Sequence, residues 1–267
     1  MTTAHSGRLT AQSSTNGIIW QVGVVLATLA TIVVNGLANA LPLNGQETGE
    51  ISDRFSVYFV PAGYVFSIWG LIYVGLIAYS VYQALPRRRD NALLRDIAPW
   101  YLLSAAANIG WLFAWHYNQF ALSLAIMLVL LASLIMIYRR LAAQRPATRG
   151  EFWAVHVPFS IYLGWISVAT IANATSLLDY VGWNGFGISE VMWGAIMLVV
   201  ATVLGLYFSV RRADIAYVAV LVWAFIGIAV KHSDTPLVAV TAGVAAAVLV
   251  LSLFVTVPRR RKALAAA

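Results

Sequence analysis

Three stretches of this chain set aromatic rings and uncharged polar groups at helical spacing, and their chemistry would be recognition by shape and stacking rather than bond making. Tyr101, Ser104, Asn108, Trp111 and Trp115 lie three and four residues apart and share one helix face. Pro158, Tyr162, Trp165, Ala169 and Asn173 form a second stripe, in which the small Ala169 leaves room between rings. Phe66, Trp69 and Tyr73 form a third, reached through Pro61-Ala62-Gly63-Tyr64. Interhelical packing is one use for the deep tryptophans Trp69, Trp111 and Trp165, which sit about 12–20 Å of helix in from where their spans begin. The convergence of three helices at about one depth favours a pocket for a flat, largely apolar ligand with a few polar handles. The candidate lining is Phe66, Trp69, Tyr73, Asn108, Trp111, Trp115, Tyr162, Trp165, Ala169 and Asn173.

Other chemistries find little support. His5, His116, His156 and His232 are scattered without paired spacing, so each reads as an interfacial or packed histidine rather than a metal ligand. The absence of cysteine excludes disulfides, thiol catalysis and thiolate metal sites. No apolar span carries a carboxylate at its centre, which argues against a proton relay of the usual kind. No catalytic residue, metal site or required cofactor is expected. Trp20, Trp100, Trp153, Trp183 and Trp193 fall near span ends, where amphipathic rings prefer the headgroup level. Leu134 with Tyr138-Arg139-Arg140 fits the loose cholesterol-contact pattern, which many helix ends match.

The elements that must position these stripes are membrane helices. With 61% hydrophobic and 10% charged residues, the chain cannot cover a water-soluble globule, and a bilayer needs about 20 apolar residues per crossing. Eight such spans are expected, over roughly 18–40, 62–85, 98–116, 119–141, 152–176, 190–209, 214–230 and 236–257, giving an all-α polytopic bundle. Alternating these spans puts 15 of the 17 basic residues on one side, including Arg8, Arg87–Arg89, Arg95, Arg139, Arg140, Arg145, Arg149, Arg211, Arg212 and Arg259–Lys262, and leaves Arg54 and Lys231 on the other. Basic residues stay cytoplasmic, so both termini are expected there, with the plasma membrane as the expected location; the net charge of +7 then reflects membrane lipid rather than nucleic acid. The acidic, Gly-containing segment 42–60 is the one long connection, either a solvated linker or a lid. Ala38-Asn39-Ala40 has the form of a signal-peptidase site, but its apolar run is about twice the usual signal-peptide length.

At the level of motifs, the chain resembles the translocator protein and tryptophan-rich sensory protein family, TspO/MBR. The residues that carry the resemblance are Pro61-Ala62-Gly63-Tyr64-Val65-Phe66 with Trp69 and Tyr73, Asn108 with Trp111, and Pro158-Phe159 with Trp165-Ile166-Ser167-Val168-Ala169-Thr170 and Asn173. Tyr64 stands where the family usually has Trp, the interval to Trp69 is one residue short, and Pro158 lies three residues further from Trp165 than the pattern has it. The resemblance covers about residues 18–178. It implies a five-helix domain whose pocket binds porphyrins or similar flat lipophiles under the first loop, often in a homodimer. On this reading residues 1–17 form a cytoplasmic N-terminal segment, 179–257 add three helices, and 258–267 form a basic cytoplasmic tail.

The expected function is therefore binding of a flat lipophilic ligand, such as a tetrapyrrole, by a membrane sensor or regulator. A transporter of such compounds is the alternative, although the broken helices and midplane charge of many transporters are missing. A porphyrin-degrading enzyme is a weaker third, for no acid and base pair shares a site.

Overall fold

The computed structural model describes residues 3–265; Met1, Thr2, Ala266 and Ala267, and the side chains of residues 3–16, Asn39, Arg261 and residues 263–265, lie outside the described residues, and with them the expected placements of His5 and Arg8. Helices account for all regular structure among the described residues. In chain order they are α1 (Thr3–Ala40), α2 (Thr48–Asp53), α3 (Ile68–Ala84), α4 (Ala92–His116), α5 (Phe120–Ala142), α6 (Arg149–Glu151), α7 (Val157–Tyr180), α8 (Glu190–Arg212), α9 (Ile215–Lys231) and α10 (Pro236–Ala265). Each of the eight expected spans is helical. Seven are long and apolar enough to cross a membrane, and the eighth, α9, is a 17-residue apolar helix of about 25 Å. This is an integral membrane protein.

Local chemistry sets several boundaries. α4 starts six residues before the expected span because the Asn91 side chain accepts from Leu94 N at 3.0 Å, and Pro99 is accommodated inside the helix. Pro158 has no N–H to offer the preceding turn, and the chain widens there into a π turn over Phe152–His156 that joins α6 to α7. α10 continues through Pro258 to Ala265, past the expected end at 257.

Helices α1, α3, α7, α5 and α4 contact one another in a closed ring. The remaining three form a second group in which α9 touches α8 and α10 and alone lies broadly along α7. That placement changes the reading of α7. A single buried stripe was expected, yet every residue from Val168 back to Tyr162 is buried, because the ring covers one side and α9 the other. Across that second contact Tyr217 Oη donates to Ser167 Oγ at 3.0 Å. α9 itself buries Tyr217, Val218, Leu221, Ala224, Phe225 and Ile228, so the shortest of the spans occupies the interior. By contrast α1 exposes Val22, Leu26, Leu29 and Val33 on its outer face, as a helix in contact with lipid does.

Candidate ligand site beneath the lid

Segment 42–60 is not a solvated linker but a folded lid. A capping box between Glu47 and Glu50 starts α2 inside it, and Ile51, Phe59 and Val60 are buried. Its first part is latched to the end of α4. Trp115 Nε1 donates to Thr48 O at 3.2 Å, Asn44 Nδ2 donates to His116 O at 3.0 Å, and the buried His116 ring lies 3.4 Å from Thr48 Oγ1. Arg54 donates to Asn118 Oδ1, and Ser56 N donates to Asp179 Oδ2 at 3.3 Å.

The second part of the lid and its hinge into α3 are held by α9. Ala62 N donates to Gly227 O at 3.1 Å, Trp223 Nε1 donates to Val65 O at 3.1 Å, and His232 Nε2 lies 3.3 Å from Val60 O. Asp53 pairs with Lys231. A Cβ at Gly227 would stand 2.1 Å from Val65 Cγ2, so the hinge reaches α9 only because that position is glycine. Burial, reinforced by the Lys231 charge, pushes the His232 imidazole below its ordinary value, against the opposing effect of the Val60 carbonyl.

Beneath the lid is a cavity of about 40 Å³. Seven expected site residues line it: Phe66, Trp69, Trp111, Trp115, Trp165, Ala169 and Asn173. Thr48, Ser52, Val60 and Pro61 from the lid and Val168, Ala172 and Ser176 from α7 complete the wall, and none of the lining side chains is charged. The rings form a ladder. Trp69 stacks on Trp111 at 6.4 Å between centroids and 26°, Trp111 stacks on Trp115 at 6.0 Å and 21°, and Trp165 meets Trp69 edge-on at 6.2 Å and 83°. Asn173 Nδ2 donates to Ser123 Oγ at 3.1 Å, so its amide is tied to α5. Three polar groups of the lining are buried without a hydrogen-bond partner among the described residues: the indole N–H groups of Trp111 and Trp165 and the hydroxyl of Ser176. Unpaired buried donors cost about 1–3 kcal/mol each.

The structure places the other three expected residues elsewhere. Tyr73 is half-buried and stacks on Trp69 at 5.8 Å, behind the ladder. Asn108 and Tyr162 lie under the cavity in a chain of hydrogen bonds. Asn35 Nδ2 donates to Asn108 Oδ1 at 2.8 Å, and Asn108 Nδ2 donates to Tyr162 Oη at 3.0 Å. Periodicity had put Asn108 on the right face, but its partner on α1 is 73 residues away and leaves no local signal. Trp223 and Gly227 carry no sequence signal because α9 has the composition of a plain apolar span, and His232 reads from sequence only as an interfacial or packed histidine. The one sequence hint was Lys231, a rare basic residue facing an acidic loop.

Among the described residues no group of three or more His, Cys, Asp or Glu could hold a metal ion. Neither a curated protein nor a solved structure matches the chain. A family model described as TSPO-like protein matches residues 21–255, through the five-helix ring and on through α8, α9 and most of α10, and the chain belongs to that family.

Proposed function

We propose that this membrane protein binds a flat, largely apolar ligand of the porphyrin class beneath the lid and acts as a sensor or regulator, with both termini cytoplasmic and the lid on the outer side. The observation that carries the reading is the trio of unpaired donors, Trp111 Nε1, Trp165 Nε1 and Ser176 Oγ, around one uncharged aromatic cavity. Packing alone would favour filling such a space with apolar side chains. A ligand with acceptor oxygens or nitrogens at its edge would satisfy the donors while its faces lie on the indoles.

Size adds a mechanism. A cavity of about 40 Å³ has room for about three water molecules, whereas ligand pockets run to about 300–1,000 Å³. Binding therefore needs the lid to move, and its contacts with α4 and α9 set the cost of opening. Titration of purified protein with protoporphyrin, followed by tryptophan fluorescence, tests this directly. Saturable quenching that is lost when Trp111 and Trp165 are both changed to Phe is expected; equal quenching in the double variant would refute the site.

A further inference from the structure

At the opposite end of the bundle from the lid, an open groove of about 270 Å³ runs where α1 meets the end of α3. Val22, Val25, Leu26 and Ala84 supply its apolar wall, and Gln21 and Arg89 its polar end. Val22 and Leu26 are 51% and 60% exposed, so this wall faces the hydrocarbon next to the headgroup layer.

The polar end is built rather than incidental. Gln21 Nε2 donates to Gln83 O at 2.6 Å and Leu85 O at 3.2 Å, which ties α1 to the last carbonyls of α3. Arg89 crosses α1 at Gly17, where a Cβ would stand 2.6 Å from Arg89 Cγ. The half-buried Arg89 thus has its stem fixed, and its Nε–H is buried with no hydrogen-bond partner among the described residues. Arg88 lies with Cζ 4.6 Å from the Tyr82 ring centroid, and Arg87 is exposed beside it. The nearest acid in sequence, Asp90, is 3.6 Å from Arg95. A guanidinium whose stem is fixed against α1, in a run of three arginines at the mouth of a lipid-facing groove, complements a phosphate carrying an acyl chain.

We propose that this groove is a binding site for one anionic phospholipid, whose phosphate accepts from Arg89 while an acyl chain lies along Val22, Val25 and Leu26. A zwitterionic lipid would bring its ammonium group into the same arginine cluster and bind less well. The site is independent of the lid cavity.

The test incubates full-length protein in mild detergent with phosphatidylglycerol or phosphatidylcholine at equal concentration and counts retained lipid by native mass spectrometry. One phosphatidylglycerol should be retained at least about fivefold more tightly than phosphatidylcholine, from about 1 kcal/mol per basic residue. Arg89→Gln should erase that preference, Arg211→Gln, in a different basic cluster, should leave it intact, and Val22→Trp should weaken retention by filling the groove without altering charge. Equal retention of the two lipids overturns the proposal, as does a folded Arg89→Gln protein that keeps the preference. So does displacement of the lipid by inorganic phosphate alone, or a dimer that dissociates on Arg89→Gln, which would assign the groove to a second copy of the chain. Should Arg89→Gln fail to fold, unchanged retention by Val22→Trp overturns it.

Discussion

Around Asn108 the five-helix ring closes its polar groups on one another: Asn35 donates to Asn108, and Asn108 donates to Tyr162, joining α1, α4 and α7. Less than a turn nearer the lid, Trp111 and Trp165 present indole N–H groups with no hydrogen-bond partner among the described residues. The two layers share residue types, helices and burial, so composition and spacing do not separate them. What separates them is satisfaction. In low dielectric a paired amide acts as an interhelical tie, whereas an unpaired donor costs free energy that only a further partner recovers. The paired layer should therefore govern stability, and the unpaired layer should govern affinity.

The largest expected effect falls on the cavity. Ala169→Leu puts three more carbons into about 40 Å³ and should weaken protoporphyrin binding by about five- to 150-fold, corresponding to about 1–3 kcal/mol of overpacking, with expression nearly unchanged. Fluorescence titration measures it, and undiminished affinity would take Ala169 out of the site. Next comes the paired layer. Asn108→Leu removes two buried hydrogen bonds that average about 0.6 kcal/mol each in membranes, so thermal unfolding should show about 1–2 kcal/mol of lost stability with affinity kept. A large loss of affinity without loss of stability would reverse the assignment of the two layers.

Trp165→Phe sharpens the comparison because it keeps the ring and removes the unpaired N–H. Affinity should fall about two- to tenfold, the range of one ordinary hydrogen bond, while stability without ligand stays level or rises. A stability loss at unchanged affinity would mean that the indole serves packing.

The smallest effect concerns the lid's anchorage on α9. The folded protein holds His232 below the ordinary imidazole value of about 6.5, so the closed state binds fewer protons than an open one. The contribution of His232 is accordingly complete above about pH 6.5 and is lost as pH falls through the lower folded value. Lys231, itself paired with Asp53, reinforces the direction. Protection against hydrogen exchange in residues 48–60, taken relative to the intrinsic exchange rate at each pH, should fall modestly between about pH 7.5 and 5, and His232→Gln should flatten that dependence. Protection that rises on acidification would show the opposite sign.

Much of the architecture was legible without coordinates because a lipid solvent leaves little choice. Every backbone polar group must be satisfied within its own segment, so each apolar run of sufficient length is a helix, and arginine placement sorts the connections into two ends. The same logic exposed the aromatic stripes on α3, α4 and α7, since residues three and four apart must share a face. Periodicity names a face but not what meets it. That Asn108 would meet Asn35, and that Trp111 and Trp165 would have no hydrogen-bond partner among the described residues, depended on which helices closed the ring. The role of α9 was equally hidden. Its sequence is that of any apolar span, and only tertiary packing placed Gly227 and Trp223 against the hinge of the lid, because a close backbone approach is decided by the space between two helices and not by either one alone.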